Sequence, residues 1–220
     1  MNQRKIIFFH LPKTAGTSVK RALLNAFGED KVALIYGKPF FEEKMQAFMN
    51  SNMPLAIGHM PWKEDYSIAI QDYVKITFLR HPVDRTVSHY LHVKYSQSKE
   101  HDVFKNVSFL DFLKTNAGSN DMTRRLGGGF YKENKNSAHF FKAAAENISH
   151  RFDFVGLQEN LTREWQRLSA FLKMDLGELK TFNKSEHKAE AKQLKEAYED
   201  QIIEANKLDL DLYKLAQKRV

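Results

Sequence analysis

The sequence predicts an α/β fold in which a central parallel sheet is flanked by helices. Short apolar segments rich in strand-forming residues occur at 6–9, 55–57, 74–79 and 152–157, and helical patterns lie between them. This alternation is typical of parallel strands joined by helical crossovers, so we expect helices on both faces of the sheet. The chain has 220 residues and no low-complexity linker, which predicts a single domain, 1–220.

The segment FFHLPKTAGTS at 8–18 joins the first predicted strand to the first predicted helix. Apolar residues after the loop recur at helical spacing, from a start near Gly16: Val19, Ala22, Leu23, Ala26 and Phe27. A helix that begins there points unpaired N–H groups and the positive end of its dipole at the loop, which favours a phosphate or sulfate. Lys13 adds a mobile positive charge. The alternative is an ordinary strand-to-helix turn.

A second candidate anion site lies in ITFLRHPVDRTVSHY at 76–90. Arg80 comes at the carboxyl end of a predicted strand, and Ser88 falls in the helix that follows. Ligands of open α/β sheets bind beyond the carboxyl ends of the strands, so Arg80 and Lys13 are expected at the same edge. The planar guanidinium of Arg80 can donate two hydrogen bonds to a phosphate. A salt bridge for Arg80 and a surface position for Ser88 are the alternatives.

Three residues are candidates for a general base. His59 follows the short apolar run in AIGHMP at 56–61, His10 lies in the first loop, and Glu64 comes shortly after His59. Imidazole titrates near neutral pH and can accept a proton without being permanently charged. A single His after a strand is more often structural, so the residues alone leave the choice open.

The two anion segments resemble the cofactor motifs of the sulfotransferases, in particular the carbohydrate sulfotransferases related to heparan sulfate and dermatan sulfate 2-O-sulfotransferases. PKTAGTS resembles their 5′-phosphosulfate loop, and the spacing of Arg80 and Ser88 resembles their 3′-phosphate motif. The resemblance implies a P-loop-like sulfotransferase fold and the cofactor 3′-phosphoadenosine 5′-phosphosulfate (PAPS). It assigns the 5′-phosphosulfate to Lys13, Thr14, Ala15, Gly16, Thr17 and Ser18, and the 3′-phosphate to Arg80 and Ser88.

The same resemblance points to His59 as the catalytic base. The 2-O-sulfotransferases have a Gly-His pair at the matching position between the two cofactor motifs, and Gly58 and His59 form such a pair here. His10 is then the second candidate and Glu64 the third. Lys13 is expected to act as a catalytic cation beside the sulfate.

Three later segments also resemble the family: NDMTRRLGGG at 120–129, FDFVGLQENL at 152–161 and TFNKSEHK at 181–188. Arg124 and Arg125 are expected either to contact the cofactor or acceptor or to be structural. The last segment resembles a loop that closes over the nucleotide, which makes Asn183, Lys184 and Ser185 candidates for cofactor binding.

The composition limits the partners. A formal net charge of +7 and a pI near 9.4 favour anionic partners, but no nucleic-acid-binding motif is present, so we expect no nucleic acid. The absence of cysteine excludes disulfides and cysteine-based zinc sites, and no carboxylate cluster suits Mg²⁺, so we expect no metal. The apolar run near the N-terminus is too short for a signal peptide or an integral membrane segment, which predicts a soluble, cytoplasmic protein. Many enzymes of the resembled family are anchored in the Golgi membrane, so the resemblance implies a bacterial, soluble version. The oligomeric state stays open.

The sequence thus predicts an enzyme that transfers a sulfuryl group from PAPS to a hydroxyl of a carbohydrate or glycoconjugate acceptor. Two other classes remain as alternatives. A P-loop-like, ATP-dependent kinase would place its Lys after the second Gly of the loop, whereas Lys13 precedes Gly16. A non-catalytic module for acidic glycans or nucleic acid would depend on the net positive charge alone.

Overall fold

The computed structural model describes residues 4–37, 41–64, 67–129, 138–180 and 187–220. Within these residues, five parallel strands form one sheet in the order β2-β3-β1-β4-β5. This confirms the predicted α/β class and parallel sheet. The strands are β1 (Ile6–Phe9), β2 (Val32–Ile35), β3 (Leu55–Gly58), β4 (Val74–Leu79) and β5 (Phe154–Leu157).

Two details differ from the sequence prediction. Strand β2 was not predicted, and β5 begins at Phe154 rather than at residue 152. In β2 only the first and last of four residues are buried, and Leu34 is exposed, because β2 is the edge strand beside β3. A four-residue apolar run without regular alternation cannot be told from an extension of a helix by periodicity.

Helices cover both faces of the sheet because the strand residues alternate in direction. Ile6 and Phe8 of β1 pack in one core, and Ile7 and Phe9 pack in the other. The first core includes residues of α1 (Gly16–Phe27) and α7 (Leu161–Leu172). The second includes residues of α2 (Phe41–Asn50), α6 (Ala138–Glu146) and α9 (Lys207–Gln217). Both faces of the sheet are therefore buried under helices.

A third core lies among helices beyond the carboxyl end of β4. It joins α3 (Pro82–Tyr95), α4 (Phe109–Leu113) and α8 (Lys188–Ala205), while α5 (Asp121–Leu126) lies next to α6 and α9. Helix α3 begins with Pro82, whose fixed φ suits a first turn. The spacing of Ser108 and Asp111 predicts a capping box, and the Ser108 hydroxyl does cap α4 by accepting from the Asp111 N–H at 3.1 Å. None of the described helices is long and apolar enough to cross a bilayer.

The connections place the loops after β1 and β4 beside each other. The chain leaves β1 toward β2 on one side, whereas β4 lies on the other side of β1 and continues to β5. The two loops therefore diverge and leave a crevice between them, which is where open α/β sheets bind ligands.

Candidate active site

The loop between β1 and α1 has a backbone shaped for an anion. Lys13 has φ 66° and Ala15, the residue before α1, has φ 63°, so two non-glycine residues adopt the left-handed conformation. That conformation costs each roughly 1–2 kcal/mol. The carbonyl of Ala15 accepts from the N–H groups of Ser18 and Val19, and the Thr14 hydroxyl donates to the Leu11 carbonyl at 2.9 Å. Alternation of ordinary and left-handed residues turns successive N–H groups toward one concave side.

The first turn of α1 adds to the same positive field. It carries no acidic residue, and the first N–H groups of a helix have no partner inside the helix. Gly16 and Ser18 are buried there, while Thr17 is exposed. The loop and the helix end together can therefore hold an anion through backbone donors.

Lys13 and Arg80 meet at this point. Arg80 Nη1 donates to the Lys13 carbonyl at 3.4 Å, across the two loops that follow β1 and β4. Burial lowers the pKa of Lys13, and the charges of Arg80 and Arg85 lower it further. An anion bound between these cations would relieve their repulsion, because an opposite charge favours the charged form of each.

Ser88 lies in the second turn of α3, the helix that follows β4. Its position is one helical turn before His92, so the two side chains share one face of the helix. Burial lowers the pKa of His92 to about 4, and the neighbouring Lys13 charge and His101 contribute. The charge of Lys13 thus acts on His92, and Ser88 is half-buried.

His10, His59 and Tyr36 form a cluster at the other end of the loop. Each is the first residue after its strand. The strands end in register, since Gly58 at the end of β3 pairs with Phe9 of β1 on one side and with Ile35 of β2 on the other. The three side chains therefore leave the sheet side by side. The ring centroids of His10 and His59 are 4.4 Å apart, and those of Tyr36 and His59 are 4.9 Å apart. His10 Nδ1 and the Tyr36 hydroxyl are 2.8 Å apart, at hydrogen-bond distance.

Both imidazoles are neutral in this environment. Burial, followed by the charges of Lys20, Arg125 and Lys13, lowers the pKa of His10 to about 3. Burial, His10 and Arg125 lower the pKa of His59 to about 2. A neutral imidazole can accept a proton or donate one N–H, so either ring can serve an acceptor hydroxyl or a bound oxyanion.

A buried charge network supports this end of the site. Asp121 accepts from Arg125 Nε at 2.9 Å and also pairs with the buried guanidinium of Arg85. The three side chains are nearly excluded from solvent. Arg125 thus has a structural partner, and its charge also lowers the pKa of His10 and His59. The guanidinium of Arg124, in contrast, donates to the Gly129 carbonyl and lies over the Phe140 ring.

The remaining candidates are less favourably placed or lie outside the described residues. Glu64 is exposed, pairs with Arg151 at 2.9 Å and lies 3.3 Å from Trp62 Nε1. The Arg151 hydrogen bond is the main cause that lowers its pKa, so the carboxylate is held in an ion pair away from the histidine cluster. Asn183, Lys184 and Ser185 lie outside the described residues.

Sequence reasoning missed Tyr36, Arg85 and Asp121. Asp121 and Arg125 stand at a helical ion-pair spacing that was available as a signal. Tyr36 could not be found in this way, because the strand before it was not recognised. The pairing of Asp121 with Arg85 also had no sequence signal, because the two residues are 36 positions apart.

Fold and site together define an α/β protein with a phosphate-type anion loop at the carboxyl end of its first strand. A family model described as the sulfotransferase family matches residues 2–216, and the chain belongs to that family. Membership in this family of sulfuryl-transferring enzymes, expected from the loop and from Arg80 with Ser88, is confirmed.

Two solved structures match this chain, and the first supports the fold. Mouse sulfotransferase SULT7A1, solved in complex with PAP, shares 12% identity with a TM-score of 0.51, over 87% of this chain and 63% of that one. This chain therefore spans less than two thirds of that protein. A sulfotransferase from Alicyclobacillus acidocaldarius shares 14% identity with a TM-score of 0.44, over 96% of both chains. Among curated proteins no match was found.

Proposed function

We propose that this protein transfers a sulfuryl group from PAPS to a hydroxyl group of a carbohydrate or glycoconjugate. The observation that carries the proposal is the meeting of Lys13 and Arg80 beyond the ends of β1 and β4, with His59 at the end of neighbouring β3. The carboxyl end of the sheet then carries two cationic groups, one for each end of a bisphosphorylated nucleotide. It also carries a neutral imidazole for the acceptor. The mouse relative solved with PAP supports the choice of nucleotide.

In the proposed reaction, the acceptor oxygen attacks the sulfur of PAPS while His59 takes the hydroxyl proton. The new O–S bond forms as the bond between sulfur and the bridging oxygen breaks. The electron pair of that bond leaves with the 5′-phosphate, so the products are a sulfate ester and adenosine 3′,5′-bisphosphate. The proton remains on His59 until solvent removes it.

Positioned positive groups would provide most of the catalysis. Charge develops on the bridging and sulfuryl oxygens, and preorganised donors stabilise such charge without rearrangement. In this proposal Lys13, the N–H groups of Thr14, Ala15, Gly16 and Thr17, and Ser18 would hold those oxygens. Arg80 and Ser88 would hold the 3′-phosphate, and that contact would select this nucleotide over AMP. No step requires a metal.

The low pKa of His59 suits a resting site that has no anion bound. Arg125 is among its causes, and a bound sulfuryl group would place negative charge near the imidazole and oppose that effect. The base would therefore become stronger when the cofactor binds.

The acceptor class rests on the resemblance to carbohydrate sulfotransferases and on the net positive charge, which favours acidic glycans. A cytoplasmic location in a bacterium, and the absence of nucleic acid and of metal from its function, remain part of the proposal.

The test is a transfer assay with purified protein and PAPS. Acceptors would include desulfated uronic-acid glycans, neutral oligosaccharides and small phenols, with products analysed by mass spectrometry. A sulfated glycan together with released bisphosphate supports the proposal. Phosphorylated product from ATP would favour the kinase, and salt-sensitive glycan binding without turnover of any acceptor would favour the binding module.

A further inference from the structure

The hydrogen-bonded pair of Tyr36 and His10 is not needed for the base chemistry assigned to His59. We propose that Tyr36 is a positioning residue that holds His10 as a neutral donor, with its Nε2–H directed at the sulfuryl group. This inference rests on the proposed function for the identity of that group, while the state of the imidazole can be measured without turnover.

The first observation is the direction of the His10 ring. A Cβ placed on Gly16 would lie 1.6 Å from His10 Nε2, closer than from any other atom of the ring. The Nε2 edge of His10 therefore faces the first residue of α1, where backbone donors and the helix dipole favour an anion. The opposite nitrogen, Nδ1, lies 2.8 Å from the Tyr36 hydroxyl.

The second observation is that the surroundings keep both members of the pair neutral. Lys20 Nζ lies 4.8 Å from the centre of the Tyr36 ring, and Lys20, Arg125 and Lys13 all oppose a proton on His10. Burial raises the pKa of Tyr36, so its hydroxyl keeps its hydrogen. A neutral imidazole has one N–H and one lone pair, and the partner of one nitrogen decides what the other presents.

The choice between the two tautomers follows from the anion. If Nδ1 carried the hydrogen, Nε2 would present a lone pair to the negatively charged oxygens at the helix end. If Tyr36 donates to Nδ1, Nε2 carries the hydrogen and donates to those oxygens. The second arrangement gives a hydrogen-bond partner to the Tyr36 hydroxyl, to both nitrogens of His10 and to the anion. The two adjacent imidazoles then have different roles, because His59 accepts a proton and His10 donates a hydrogen bond.

Nitrogen-15 NMR of the imidazole groups tests the tautomer directly. His10 signals would be assigned with His10→Gln, and spectra recorded at neutral pH with and without adenosine 3′,5′-bisphosphate plus sulfate. We expect a neutral His10 with its hydrogen on Nε2 in the wild type, and a mixture of tautomers in Tyr36→Phe. Hydrogen on Nδ1 in the wild type would overturn the proposal even if the protein proved to be an active sulfotransferase.

Kinetics separate positioning from structure once an acceptor is known. Tyr36→Phe should lower turnover by up to about 10²-fold with little change in KM, the scale expected when a group of the site is misplaced by about 1 Å. In a His10→Ala background the same change should have no further effect, since the two residues act as a unit. His10→Gln, whose amide can donate from a position similar to Nε2, should retain more turnover than His10→Ala.

Tyr90→Phe is the matched control. Tyr90 is buried, whereas Tyr36 is half-buried, and the Tyr90 hydroxyl donates to the Val107 carbonyl at 3.1 Å in the helical core of α3 and α4. The Tyr90→Phe substitution removes one tyrosine hydrogen bond without changing the cluster of Tyr36, His10 and His59, so turnover should stay near the wild-type value. Equal losses in Tyr36→Phe and Tyr90→Phe, or additive losses from Tyr36→Phe and His10→Ala, would show a merely structural role.

Discussion

The imidazoles of His10 and His59 lie with ring centroids 4.4 Å apart although 48 intervening residues separate them in sequence. The cause is the register of the sheet, which pairs Phe9 of β1 with Gly58 of β3, so that the next residue of each strand projects from the same edge. Gly58 permits the neighbouring approach of β2, since a Cβ there would lie 2.0 Å from the Ile35 carbonyl oxygen. Strand register therefore builds the base end of the candidate site.

Nucleotide binding should depend on the 3′-phosphate. Adenosine 3′,5′-bisphosphate should raise the melting temperature, because a ligand that binds only the native state stabilises it by about 2.7 kcal/mol at a hundred times its Kd. AMP at the same concentration should do much less. Thermal shift and calorimetry measure the difference, and equal effects from the two nucleotides would remove the 3′-phosphate site.

Arg80→Ala should weaken binding of the bisphosphate by about 2–5 kcal/mol, the scale for truncating one member of a desolvated charge pair. Ser88→Ala should cost about 1 kcal/mol, or up to about 3 kcal/mol if its bond is to the charged phosphate. Calorimetry gives both values. Arg163→Ala, at an exposed position of α7, is the control for loss of one positive charge. Wild-type affinity in Arg80→Ala would make Arg80 structural.

His59→Ala and Lys13→Ala should fail in different ways. His59→Ala should keep its affinity for the bisphosphate while turnover falls by roughly 10²–10⁴-fold, the usual contribution of a positioned base. Lys13→Ala should lose both turnover and affinity, because its charge would contact the bound anion in the ground state and the transition state. Single-turnover sulfation and calorimetry separate the two effects. Near wild-type turnover in His59→Ala would move the search for the base to His10 and Glu64.

Gly16→Ala should disturb the site through His10. The new Cβ would overlap Nε2, so either the ring or the helix must move, and overpacking of this kind costs about 1–3 kcal/mol. Denaturant unfolding should show a smaller loss when Gly16→Ala is made in a His10→Ala background, because the space is then free. Identical losses in the two backgrounds would mean that the strain lies elsewhere.

Stability should fall on the acid side of neutral. Burial lowers the pKa of His10 and of His89 to about 3 and of His59 to about 2, so between those values and 6.5 the unfolded chain binds more protons. The free energy of unfolding should then decrease as the pH falls below about 6.5, by up to about 1.4 kcal/mol per pH unit for each group.

Urea titrations between pH 7 and pH 5 measure this dependence. His89→Gln, which removes one of the three groups from the interior, should reduce the slope. The same substitution at the exposed His150 is the control. A stability that does not change over this range would contradict the burial of neutral imidazoles.

The sequence by itself determined the features that are local. The anion loop, the start of α1 at Gly16, the capping of α4 by Ser108 and the positions of Lys13 and Arg80 at strand ends follow from spacing, turn residues and the polarity of short segments. In a parallel sheet the carboxyl ends of all strands lie at the same end of the sheet. The expectation that Lys13 and Arg80 lie at that end therefore needed no knowledge of strand order.

The tertiary structure decided which strands are neighbours. The order β2-β3-β1 places Tyr36 beside His59 and His10, and the packing of α3 on α5 joins Arg85 to Asp121. These contacts link residues from separate elements, and the sequence carries no periodic signal for them. Strand order and helix docking depend on the complementary shapes of apolar surfaces across the whole core, so Tyr36, the contact between His10 and His59, and the pairing of Arg85 with Asp121 could be recognised only in the folded chain.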